Sequence, residues 1–170
     1  MSLKLFGALL IVIACGGFGF KLASERIYEE KTLRQLLILL EYMHCELQYR
    51  RTALPSLCAQ AANESKGVIS KVFLCLSKEL ESRVFDDAQQ CMKTVLTQVK
   101  DIPNSTYKAL EQFAQTLGQF DIDGQLNGIE AVRQECRRNL ELLSKDRDVH
   151  IRTYQTLGLC AGAAIAILFI

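Results

Sequence analysis

One pattern near the carboxyl end limits what this chain can become: from Asp121 to Ile170 an amphipathic stretch passes without a break into an uncharged one. Leu126, Ile129, Val132, Cys136, Leu140 and Leu143 recur three or four residues apart, as a helix with one buried stripe requires. Glu130, Arg133, Glu135, Arg137, Arg138, Glu141, Lys145, Asp146, Arg147 and Asp148 are assigned to the outward face. From Leu157 to Ile170 (LGLCAGAAIAILFI) no charged side chain remains. A helix apolar on every side reads as a membrane segment. One helix is therefore predicted to pass from a soluble bundle into lipid.

Leu5 to Phe20 (LFGALLIVIACGGFGF) is a second uncharged run, bracketed by Lys4 and Lys21. As helices the two runs cover about 24 Å and about 21 Å, short of a ~30 Å hydrocarbon core. Snorkelling lysines, and Tyr154, Gln155 and Thr156 at the interface, extend them. A competing reading is an exported lipoprotein, since Val12-Ile13-Ala14-Cys15-Gly16 resembles a processing box with Cys15 as the acylated residue. Charge favours two anchors. Lys21, Arg26, Lys31 and Arg34 follow the first run, and Arg137, Arg138, Lys145, Arg147 and Arg152 precede the second. The positive-inside rule then puts the central domain in the cytoplasm. The expected organisation is a membrane segment at 1–20, a cytoplasmic helical domain at 21–153 and a membrane segment at 154–170.

Between the runs the pattern is helical throughout. Leu33, Leu36, Leu37, Leu40, Met43, His44 and Leu47 share one face of a helix from Glu25 to Arg50. A turn follows over Arg51 to Leu54, and Pro55 suits the first turn of the next helix. Further helices are expected at Pro55–Ala62, Lys66–Glu81 and Asp87–Lys100, the last capped by Asp86. Pro103-Asn104-Ser105 starts another helix, whose apolar face is Tyr107, Leu110, Phe113, Ala114 and Leu117, and Gly118 stops it. Asp121 or Asp123 caps the terminal helix. With 2 prolines and no sustained alternation, the fold class is all-α, a bundle of about six helices with N-terminal and C-terminal transmembrane helices.

No chemistry-bearing constellation stands out. There is no phosphate loop, nucleophile elbow, HExxH or carboxylate-rich metal loop, so the chain is not expected to be an enzyme or to hold a cofactor or metal. The 7 cysteines, without a CxxC pair, read as small buried hydrophobes in a reducing compartment. His44 lies beside an apolar stripe, and His150 in a charged collar before the last run. A net charge of +1 provides no whole-chain field for nucleic acid. Gly158 and Gly162, four apart in the terminal run, permit close helix pairing in lipid, with Gly7, Gly16 and Gly19 as counterparts.

Two stretches carry a family resemblance. The first is Leu36 to Leu57, around Glu46, Leu47, Tyr49, Thr52, Ala53, Leu54 and Pro55. The second is Ala114 to Ile170, with Leu117, Gly118, Asp121 and Gln125, then Tyr154, Leu157 and Gly158. In these the chain resembles the stage III sporulation AB family of spore-forming Firmicutes. Ala53 departs from a position that is usually proline in that family, and Cys15 is not part of its pattern. The resemblance implies a non-enzymatic component of the membrane complex between mother cell and forespore. It also implies similarity to the helical cytoplasmic domain of type II secretion and type IV pilus platform proteins. By that similarity the partners are the ATPase of the sporulation complex and other membrane proteins of the stage III sporulation A operon, with self-association into homo-oligomers left open.

Overall fold

The computed structural model describes the backbone of residues 2–82, 87–117 and 121–169, and side chains within 24–82, 87–117 and 121–145. Among the described residues there are six helices and no strand: α1 (Ser2–Arg50), α2 (Leu54–Glu64), α3 (Gly67–Ser82), α4 (Ala88–Gln98), α5 (Asn104–Thr116) and α6 (Ile122–Phe169). Residues 29–141 form one compact unit, and residues 1–28 with 142–170 another. No helix among the described residues is long and apolar enough to cross a membrane. The side chains of both apolar runs, with Cys15, Gly158 and Gly162, lie outside the described residues, as do Asp86 and Gly118.

The bundle unit is built on α1. Leu33, Leu36, Leu39, Leu40, Met43 and Leu47 are buried along it, and Thr32 is buried beside them. The expected stripe is displaced: Leu37 is only half-buried, whereas Leu39, on the opposite edge of the arc, is buried. α2 packs on α3, α3 on α4 and α4 on α5. The Phe73 and Phe113 rings, from α3 and α5, meet at 6.0 Å between centroids and 49° between planes, a tilted arrangement that aromatic quadrupoles favour.

Helix ends are set by local chemistry. Arg51 stops α1 with φ 51, a left-handed conformation that costs a side-chain-bearing residue about 1–2 kcal/mol. Pro55 lies in the first turn of α2, and Ala53 precedes it in an extended conformation, φ −61 and ψ 140. Gly67 takes φ 65 where α3 begins, a conformation natural to glycine. Asp87, rather than the expected Asp86, caps α4: its Oδ1 accepts from Gln89 N–H at 2.9 Å. The sequence offered two adjacent aspartates, and the choice is made by where the chain leaves the extended conformation. Pro103 has no side chain to cap α5, and Glu29 of α1 substitutes by accepting from Ser105 N–H at 3.3 Å. Of the two candidates for α6, Asp121 is the cap, its Oδ1 accepting from Gly124 N–H at 3.0 Å. Asp123 lies in the first turn, where the helix dipole favours an anion.

Gly128 permits α6 to cross the end of α5 closely. A Cβ there would stand 2.5 Å from Cβ of Thr116 and 2.6 Å from its Cγ2. We expect Gly128→Ala to lower stability by about 1–3 kcal/mol through overpacking, against a helix-propensity gain of about 1 kcal/mol, and Thr116→Gly to reduce that loss in a thermal-melt comparison. The φ of Ala53 suits proline, and its N–H makes no hydrogen bond. Ala53→Pro is therefore expected to raise stability by about 0.4–1 kcal/mol by restricting the unfolded chain, and a melting midpoint that falls instead would show strain at this corner.

Candidate functional site

The first family-motif stretch forms the corner where α1 turns into α2. Glu46 is half-buried and pairs with Arg50 at 3.2 Å one helical turn on. Tyr49 is 79% exposed, and Leu54 and Pro55 are half-buried at the start of α2. Leu117, of the second stretch, is buried behind α5, far along the chain from that corner, and Asp121 is exposed at the start of α6. The motif residues thus divide between an exposed corner and two helix ends.

Further back along α1, at the far end of α2 from that corner, lies a groove of about 310 Å³, lined by Gln35, Ile38, Leu39 and Tyr42 of α1 and by Glu64, Ser65 and Lys66 where α2 meets α3. The four α1 residues are spaced i, i+3, i+4, i+7 and so share one face. Leu39 is buried, whereas Ile38 is 62% exposed. Tyr42 Oη donates to Gln60 Oε1 at 3.2 Å, tying α1 to α2. Burial, and then the carboxylates of Glu46 and Glu64, push the Tyr42 phenol up from its ordinary value, with Arg50 opposing. Ser65 Oγ donates to Ala61 O at 2.8 Å and Ser70 Oγ to Ala62 O at 2.7 Å. These bonds occupy the last carbonyls of α2 at the groove's edge.

On the other side of α1 a charge is buried. Arg133, assigned to the outward face from periodicity, is instead 8% exposed in the stripe of Ile129, Val132 and Cys136. Its Nη2 donates to Glu41 Oε1 at 2.9 Å and its Nη1 to Glu130. The long stem of arginine lies along apolar surface while its fork reaches two carboxylates at the boundary. Its Nε has no hydrogen-bond partner. Periodicity could not place it, because the arginine occupies an apolar register position and only tertiary pairing makes that tolerable.

The thiols of Cys58 and Cys136 are pushed up by burial, to about 12 and about 11, which keeps them protonated and poor nucleophiles at neutral pH. His44 is half-buried at the edge of the α1 arc. Among the described residues, no group of three or more His, Cys, Asp or Glu is placed to hold a metal ion. The surface is one for contact: an apolar groove, an exposed aromatic corner and paired charges.

Residues 4–170 match the family described as stage III sporulation protein AB. This chain belongs to that family. It is 28% identical over 169 residues to the stage III sporulation protein AB of Bacillus subtilis (strain 168), covering 98% of this chain and 98% of the relative. A solved structure of a stage III sporulation protein AB superposes with a TM-score of 0.64 at 24% identity, covering 72% of this chain and 98% of that one. That likeness extends to the all-α fold, and the family match identifies a sporulation protein.

The buried pair gives an asymmetric expectation. Glu41 is 59% exposed and can be hydrated when Arg133 is absent, so Arg133→Met should cost about 1 kcal/mol or less. Replacing Glu41 and Glu130 together by alanine leaves the buried cation unpaired and should cost about 3 kcal/mol, both read by urea unfolding. Equal losses would show that packing of the stem, not charge, dominates.

Proposed function

We propose that this protein is a non-enzymatic platform component of the sporulation membrane complex between mother cell and forespore. In this reading the two terminal apolar runs anchor it in the mother-cell membrane around the forespore, and the helical unit faces the cytoplasm. There it binds the ATPase of the complex and orients it toward membrane proteins of the same operon. The observation that carries the reading is the family match across residues 4–170, reinforced by a relative of the same extent. The nature of the surface is consistent with it. The groove and the corner set apolar and aromatic side chains beside charged ones, as a binding module needs.

Topology tests the reading most directly. In a cysteine-free variant, single cysteines replacing Lys78 or Lys93, both exposed, are treated with a membrane-impermeant thiol reagent on intact sporulating cells. We expect protection until lysis, and retention of the complex's ATPase on the tagged full chain solubilised in detergent. Labelling of intact cells would overturn the cytoplasmic platform and favour the exported, Cys15-acylated module. Loss of the ATPase from an otherwise protected chain would remove coupling from the proposed role.

A further inference from the structure

The groove beside Ile38 continues into an exposed seam. Ile38, Tyr42, Cys45 and Tyr49 follow one another at spacings of four, three and four along α1. Ile38 and Tyr49 are 62% and 79% exposed, and Cys45 is exposed as well. That is the period of 3.5 by which one helix meets another. The seam runs about 17 Å, or about three turns. Along its flanks the α1 charges are already matched: Arg34 pairs with Glu30 at 3.0 Å, Arg50 with Glu46 at 3.2 Å, and Glu41 with Arg133 at 2.9 Å. Across the groove the situation differs. Glu64 and Lys66 both line it and both are exposed, yet among the described residues neither makes an ion pair.

We infer that this groove docks the apolar side of an amphipathic helix from a protein partner, which brings a cation to Glu64 and an anion to Lys66. The seam supplies the apolar contact, and its period matches the spacing at which a partner helix presents its own apolar stripe. The two unmatched charges supply orientation and specificity, as charges at an interface rim do. A second copy of this chain carries the same Glu64 and Lys66 beside its own groove and is the competing occupant, which the dependence of peptide binding on protein concentration separates from a helix of another protein.

The inference deepens the platform reading and rests on it for the protein that supplies the helix; the binding measurement itself does not need that protein. Two fluorescein-labelled 14-residue peptides share a leucine seam; one carries a lysine and a glutamate on its flanks, the other alanine at both positions. Anisotropy titrations use the full chain in detergent. We expect the charged peptide to bind about fivefold more tightly than the alanine peptide. That preference should vanish in the Glu64→Ala, Lys66→Ala variant, and Ile38→Asp should abolish both interactions. These positions are exposed, so unchanged thermal melts of the variants keep loss of binding separate from loss of fold. Equal binding of the two peptides, no binding of either, or binding that falls as protein concentration rises because copies occlude one another would each overturn the inference. Any of those results leaves the platform reading standing, whereas labelling of intact cells sinks that reading and leaves the peptide result interpretable.

Discussion

Burial of one wide arc of α1 is the constraint on which the bundle unit depends. Leu33, Leu36, Leu39, Leu40, Met43 and Leu47 must all leave water, and each such side chain contributes about 1.5–3 kcal/mol when covered. Besides the long α6, the helices of the bundle, α2 through α5, run 11, 16, 11 and 13 residues. Helices of that length are marginal alone in water. They persist because the arc they cover is apolar, and the arc is dry because they persist. Cooperativity of this kind explains why their ends are finished with care, by Asp87 at α4 and by Glu29, borrowed from α1, at α5.

Electrostatics then refines a fold that packing has already chosen. Of the described ion pairs, Arg34–Glu30, Arg50–Glu46 and Arg138–Glu135 lie within one helix and near water, where each is worth a few tenths of a kcal/mol. Arg133 with Glu41 differs in kind, since it joins α1 to α6 and one partner is buried. A buried charge adds little net stability but penalises alternatives that would strand it. An α6 rotated or shifted by one turn would carry Arg133 away from Glu41 and leave a cation in the core. The pair therefore selects one register between two helices whose apolar stripes alone would tolerate several.

The legible part of this molecule is what a period of three to four reveals. Apolar spacing placed α2 to α6 to within a few residues, and Pro55 and Asp121 marked starts that the structure keeps, whereas α1, expected to begin at Glu25, is continuous from Ser2 through the first apolar run. What spacing missed within the bundle has one cause: it describes a helix with a single covering neighbour. α1 is covered from more than one side, so Leu39 is buried where a single stripe leaves it out, and Leu37 is not. Arg133 sits in an apolar register because its carboxylate partner comes from 92 residues earlier in the chain. Nothing in the local spacing marks Gly128, because the close crossing of α5 that forbids a Cβ there is a tertiary contact. The groove was invisible for the same reason, since its walls come from α1 and from the α2–α3 corner and meet only in three dimensions.

The circumference of α1 is consequently divided between a core arc and an exposed seam, and one residue of each meets at the groove. Leu39 is buried yet lines the groove, and Tyr42 lines the groove while bonding Gln60 of α2. A helix seated over Ile38 excludes water from that bond, and a hydrogen bond in a drier setting is stronger. If the docking inference holds, occupancy of the seam strengthens the Tyr42–Gln60 tie between α1 and α2. The corner that joins these two helices is strained, for Arg51 sits in the left-handed region that glycine would occupy more easily.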